Sequence, residues 1–317
     1  MPSLFERFAA RAEALAGAPR LVVACSGGSD STALLALLSR WGKVPLLAAH
    51  VNHGIRGTAG DRDAASVADL GASLGVRVES LVVDVPKARG KGESLEAAAR
   101  RERYRALLSF ARASGPGTLI ATGHTLDDQA ETVLLNLARH LGRSRGGISP
   151  RRADGVVRPL LPFFRAELRE LLRTEGIAWR EDETNENEDL LRNRIRRTVL
   201  PALEARWPGV ASRLARAGEA WTRRLQALDS RIDAALAPGK TLPGGPFPRP
   251  LVVALGPEPA GRLLVRAAGL AGATPGGAQV RRSVDRLLRG DDRISEAFGG
   301  LRLEADGRVV RLVRQTR

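Results

Sequence analysis

Short apolar runs bounded by turn residues alternate with amphipathic stretches of helical period through the first third of the chain. The runs at 21–25, 46–51, 76–85 and 118–122 read as strands, and 31–38, 59–74 and 95–113 as the helices between them. That order predicts an α/β architecture, a parallel sheet with helices on both faces. The first sixteen residues place Glu6, Arg7, Arg11 and Glu13 among apolar positions, an amphipathic helix rather than a leader peptide. Later, Pro159-Leu160-Leu161-Pro162 leads into a helix at 165–175, and 217–235 reads as a helical connector. The stretch 238–250 is rich in Pro and Gly and predicts a boundary loop. Beyond it come helical patterns at 257–269 and 279–288. A hairpin of 301–305 and 308–313 follows, turning at Asp306-Gly307. The expected division is a large α/β domain over 1–215, then the connector and a small α+β domain over 216–317.

Composition narrows the class. A chain of 317 residues with 43% hydrophobic content can bury a substantial core. The single cysteine, Cys25, excludes a disulfide framework and an all-cysteine metal or iron–sulfur site within one chain. No apolar run reaches membrane-spanning length, so no membrane partner is expected and the expected location is the cytoplasm. The net charge of +15 points to an anionic partner such as nucleic acid. Its distribution supports that: residues 192–224 carry nine Arg against two Glu, directly after six acids in 181–189.

The polar clusters fall at the carboxyl ends of the predicted strands, where open parallel sheets bind ligands. After the first strand stands Ser26-Gly27-Gly28-Ser29-Asp30-Ser31. Paired glycines let backbone approach a ligand closely. Ser29, Asp30 or Ser31 can cap the helix that follows, with its first N–H groups turned to the loop, a geometry that holds phosphate. It is not a Walker loop, since the pattern G-x-x-x-x-G-K is absent. After the second strand come His50, Asn52 and His53, leading into Gly54-Ile55-Arg56-Gly57. This segment reads either as a strand end under a nucleotide base or as histidines packing a strand end. After the fourth, Gly123-His124 opens a helix in which Asp127 or Asp128 can act as cap, and Asp128 and Glu131 share one face. Carboxylates beside a phosphate site suit Mg2+ or a cationic substrate. Glu96, Arg100, Arg103 and Tyr104 fall at helical spacing, with Glu96 and Arg100 able to form a surface pair. Arg192, Arg196 and Arg197 lie near one helical face and could grip phosphates.

Five segments in order now carry a resemblance: S-G-G-S-D-S, H-V-N-H-G-I-R-G, E-A-A-A-R-R-E-R-Y, G-H-T-L-D-D-Q-A-E-T, and D-E-T-N followed by L-L-R-N-R-I-R-R-T-V-L-P. The first resembles the loop of PP-loop ATP pyrophosphatases, whose domains share the adenine nucleotide alpha hydrolase-like fold. The series resembles the tRNA(Ile)-lysidine synthetase family, and the tail resembles its form with one small C-terminal domain. Three positions depart from that family's pattern: Thr125 for a second His, Leu191 for an aromatic, and an irregular loop at 142–148.

The resemblance implies a reaction in which ATP adenylates the C2 oxygen of the wobble cytidine in a CAU anticodon of tRNA(Ile). L-Lysine then attacks C2 and AMP leaves. It implies that residues 26–31, with His50, Asn52, His53, Gly123 and His124, bind ATP. Mg2+ would be held by Asp30 or by Asp127 with Asp128. Arg100 would stabilise developing charge, and Asp128 or Glu131 would hold the lysine ammonium and accept its proton. Arg103, Arg192, Asn193, Arg196 and Arg197 would position the tRNA. The sequence leaves oligomeric state open, a homodimer included. Rival readings are a tRNA thiolase fed by an external sulfur donor, an amide ligase for a small molecule, and a non-catalytic tRNA-binding protein.

Overall fold

The computed structural model describes residues 2–54, 58–90, 92–139, 146–180, 190–236 and 242–314. They form two compact units. The first comprises the described residues of Met1–Ala138 and Gly147–Glu219, and the second those of Ala220–Arg317 with Arg139 and Gly146.

In the first unit α1 (Leu4–Ala12) precedes β1 (Leu21–Ala24), α2 (Ser29–Trp41), β2 (Leu46–Asn52), α3 (Thr58–Ser73) and β3 (Val78–Val82). Then come α4 (Val85–Ala88), α5 (Leu95–Ala113), β4 (Leu119–Ala121), α6 (Leu126–Arg139), β5 (Val156–Val157) and α7 (Arg165–Thr174). The unit closes with α8 (Leu190–Arg194), a π-turn at Ile195–Val199, α9 (Leu200–Arg206) and the start of α10 (Val210–Leu236). The sheet order is β3-β2-β1-β4-β5, with every pair parallel. Order reverses between β1 and β4, so the crevice beyond their carboxyl ends is the switch point where such sheets bind ligands.

Strand parity builds the two cores. Leu21 and Val23 face α1, α2 and α7 with Leu34, Leu38, Phe8 and Leu168. Val22, Ala49 and Ile120 face α5 with Leu107 and Ala111. Both faces of β1 are therefore dry, which is why its sequence is a continuous apolar run. The third strand is shorter than its apolar run, because Pro86 near the start of α4 draws 85–88 into helix. The N-terminal helix is fixed by a capping box between Ser3 and Glu6.

In the second unit, β6 (Phe247–Pro248), α11 (Arg249–Ala254), α12 (Pro257–Leu270), α13 (Gly277–Arg289), β7 (Ile294–Phe298), β8 (Leu301–Ala305) and β9 (Val309–Arg314) follow the rest of α10. The strands make an antiparallel sheet of order β6-β9-β8-β7. Phe247, Leu263, Leu264, Phe298, Leu303 and Val310 form its core. The Pro/Gly stretch expected as a boundary loop instead supplies β6 and the start of α11 to this unit.

Candidate active site

The loop after β1 is a helix start stripped of side-chain caps. Gly27 takes the left-handed conformation at φ +86°, which a Cβ would strain. Gly28, in extended backbone, is the N-cap of α2, and no side chain caps the helix. This corrects the expectation that Ser29, Asp30 or Ser31 does so: they are already the first turn. Ser31 Oγ instead braces the loop, accepting the Ser26 N–H at 3.1 Å and donating to the Gly28 carbonyl at 3.0 Å. The first-turn amides of α2 have no intrahelical acceptor and sit at the positive end of its dipole. On the far side of the switch point Gly123 presses against that turn. A Cβ there would lie 3.0 Å from the Asp30 carbonyl carbon and oxygen, so a larger residue would have to push the α2 backbone aside by a few tenths of an ångström.

The next residues set the electrostatics. Thr125 stands before α6 and exchanges bonds with Asp128: its N–H donates to Oδ2 at 2.9 Å, and its hydroxyl to the same oxygen at 3.1 Å. Contrary to the sequence expectation, neither Asp127 nor Asp128 is the cap; Asp128 closes the box from the third helical position. Arg165, at the start of α7, spans Asp30 (Nε–Oδ2, 2.9 Å) and Asp128 (Nη2–Oδ1, 3.2 Å). Its backbone N–H donates to Asp127 Oδ2 at 2.8 Å. Burial opposes the Asp128 charge, but Arg165, the Thr125 amide and Arg192 hold its carboxyl below the usual range. Burial pushes Asp30 up, against the pull of Arg165. Burial likewise drives the His124 imidazole down to about 3, so it is neutral at physiological pH.

Glu131, one turn beyond Asp128, is 1% exposed. Arg196 grips it from Nε to Oε1 at 2.7 Å and from Nη2 to Oε2 at 3.1 Å, and Arg192 Nε reaches it at 3.3 Å. Arg192 and Arg196 also reach Asp128 Oδ1, at 3.6 and 3.4 Å respectively. They meet the same carboxylates because they are four apart on one helical face. The π-turn beside them closes with the Leu200 N–H on the Ile195 carbonyl. It precedes Pro201, whose ring would collide with the Arg197 carbonyl in a regular helix.

A cavity of about 650 Å³ gathers these parts. Ser26, Gly28, Ser29, Asp30 and Ser31 line it from the loop and α2, and Gly123, His124 and Asp128 from β4 and α6. His53, Arg100, Arg103 and Tyr104 line the side of β2 and α5. Arg192, Asn193, Arg196 and Arg197 form a further wall. Five predicted residues stay outside the lining: Gly27, His50, Asn52, Asp127 and Glu131. For His50 and Asn52 the reason is strand parity, which sends Ala49, Val51 and His53 to the cavity and the residues between them the other way. His50 Nδ1 instead bonds the Cys25 carbonyl at 3.1 Å from beneath the loop. Asn52 Oδ1 accepts the Gly54 N–H at 3.1 Å. Glu96 forms no pair with Arg100 among the described residues. The Arg100 guanidinium lies 5.3 Å from the Tyr104 ring centre. Residues 55–57, 142–145 and 181–189, including Asp182-Glu183-Thr184-Asn185, lie outside the described residues.

The sequence reading missed Arg165, Arg169 and Arg180, which also line the cavity. A signal was present for Arg165: a cation in the first turn of a helix opposes the dipole and needs a local reason. Here the reason is two carboxylates from other elements.

The profile of the PP-loop domain family matches residues 3–203. The chain belongs to the PP-loop family. It is 44% identical over 220 residues to a tRNA(Ile)-lysidine synthase of Thermus thermophilus, covering 69% of this chain and 42% of that protein. It is 35% identical over 319 residues to the protein of that name from Burkholderia pseudomallei, covering 96% of this chain and 64% of that one. The chain thus spans less than two thirds of the length of these relatives. A solved U34-tRNA thiolase from Methanococcus maripaludis, described with its [4Fe-4S] cluster, superposes with a TM-score of 0.54 at 19% identity, over 69% of this chain and 78% of that one. That likeness reports the PP-loop fold alone.

Proposed function

We propose that this PP-loop protein is an ATP-dependent ligase that joins L-lysine to C2 of the wobble cytidine in a CAU anticodon of tRNA(Ile). The observation that carries the reading is one cavity holding both an uncapped α2 N-terminus and an ionised Asp128. The name of the chain's relatives, tRNA(Ile)-lysidine synthase, supports tRNA(Ile) as the substrate. The C2 oxygen attacks the α-phosphorus and pyrophosphate leaves. The lysine ε-nitrogen then bonds to C2, and the C2–O bond breaks with AMP as leaving group.

Each residue takes a share. The first-turn amides of α2, with Ser26 and Ser29, cradle the phosphates. Arg100 lies on the opposite wall, free of carboxylate partners among the described residues, and stabilises charge on the adenylated cytidine. Asp128, kept ionised, pairs with the lysine ammonium, whose pKa of about 10.4 in water means it arrives charged, and accepts the proton that the nitrogen must lose before it attacks C2. Arg192 and Arg196 hold that place in this structure and give it up to the substrate. Glu131 is proposed as the residue that positions these arginines rather than as the base. Asp30 suits a Mg2+ that keeps its other ligands from phosphates and water, the usual arrangement for this ion. Asp127, bound to the Arg165 amide outside the cavity lining, does not suit it. Bound there, Mg2+ would offset pyrophosphate charge. No helix of the described residues is long and apolar enough to cross a membrane. We place the protein with its RNA in the cytoplasm.

A cluster-bearing thiolase is set aside by the lone Cys25. The thiol lies 3.9 Å from Ser31 Oγ, and burial pushes its pKa up. The test is AMP and pyrophosphate release with ATP, Mg2+, lysine and tRNA(Ile) transcripts. Release should need the CAU anticodon and fall to background when the wobble cytidine is replaced by uridine. Equal release from both transcripts would overturn the reading.

A further inference from the structure

The turn between α9 and α10 presents an aromatic side chain to solvent at the end of an arginine-rich helix. Trp207 is 52% exposed, among the few large apolar side chains left uncovered. Its backbone is held firmly. Its N–H donates to the Leu203 carbonyl at 2.8 Å, and its own carbonyl accepts from Arg213 Nη2 at 3.3 Å. The Glu204 carboxylate takes the Gly209 N–H and, at 3.0 Å, the Ala211 N–H, so it caps α10 and fixes the turn. Arg206 places its guanidinium 5.7 Å from the Trp207 ring centre. From 190 to 218 the chain carries seven arginines and a single carboxylate, Glu204, which the cap consumes. An indole on a fixed turn within a positive field fits a base with its phosphates.

Geometry links the indole to the cavity. The α8, π-turn and α9 segments run without interruption from Leu190 to Arg206. Arg196 lies at the cavity wall and Trp207 eleven positions on, roughly 16 Å at 1.5 Å per residue. A few nucleotides of single strand span that distance.

We propose that Trp207 is a stacking platform for an unpaired base of the RNA substrate, a few nucleotides from the base held in the cavity. The platform rests on the RNA reading above and adds to it a second contact, made by stacking rather than by phosphate pairing. Arg206 and Arg213 flank it as phosphate contacts.

The experiment uses the full chain and an anticodon stem-loop of tRNA(Ile) with the CAU sequence. Trp207→Ala should weaken RNA binding about tenfold or more, the loss of one base–aromatic stack. Trp207→Phe should recover most of it. The Ala variant should keep the slope of log Kd against log salt, whereas Arg213→Gln should flatten it by about one unit. Its thermal unfolding should match that of the parent chain, as expected for an exposed ring. Acrylamide quenching of the parent's tryptophan fluorescence should drop when RNA binds, and that drop should vanish in Trp207→Phe. Unchanged RNA affinity in Trp207→Ala, or protection from acrylamide without RNA at rising protein concentration, would overturn the platform. If the parent chain binds no RNA at all, the RNA reading itself fails. Binding and lysine transfer that are indifferent to Trp207 sink only the platform.

Discussion

At the scale of single residues, the site is an argument between burial and charge. Asp128 sits among three guanidiniums, from Arg165, Arg192 and Arg196, and stays ionised although buried. Asp128→Asn should cut lysine transfer at least about 100-fold while cooperative unfolding persists. Glu131→Gln should instead destabilise the fold by about 1–3 kcal/mol, measured by urea, because two partly buried arginines lose one of their two carboxylate partners. If the first variant transfers lysine normally, Asp128 does not hold the amine. His124 carries a pH prediction. Its folded-state pKa of about 3 lies below the ordinary 6.5, so the unfolded chain takes up a proton first as pH falls. Stability should therefore decline from about pH 6.5 towards 3, and His124→Gln should flatten that limb. An unchanged limb would mean the imidazole is charged in the fold. The carboxylates at this site were legible because Asp and Glu cluster after Gly123. Arg165 was missed: a cation in the first turn of a helix marks it as unusual, but the carboxylates that explain it come from other elements.

At the scale of elements, the proposed phosphate cradle depends on what α2 lacks. Gly28 has extended backbone that any residue can adopt, and a Cβ there would approach only Ser26 Oγ, at 3.7 Å. Gly28→Ser would therefore fold and supply the missing cap. Stability should stay within a few tenths of a kcal/mol of the parent, or rise. ATP affinity should fall about tenfold, because the new hydroxyl occupies amides meant for phosphate. Undiminished ATP binding, by titration calorimetry, would show that those amides are not the cradle. The central strands and helices were legible for a physical reason: β1, buried on both faces, must be a continuous apolar run. The two-residue β5 and β6 were not, because strands so short carry no period. The helical period of the segment after 190 was readable too. The π-turn within it was not, though Pro201 marks where a regular helix cannot continue.

At the scale of the molecule, a parallel sheet brings segments far apart in sequence to one crevice, from the loop after β1 to the arginines of 192–197. Motif order alone foretold the convergence; which side of β2 faces the cavity required its register. The net charge of +15 and the arginines beside the cavity fit the proposed RNA partner, and the carboxylates beside them fit the proposed amine nucleophile. These two demands meet in a single product. The decisive measurement is transfer of isotopically labelled lysine to tRNA(Ile) with ATP and Mg2+, followed by digestion and mass spectrometry of the nucleosides. The account predicts label in the nucleoside from the wobble position alone, with one AMP formed per lysine transferred. Pyrophosphate release with no label in any nucleoside would contradict it.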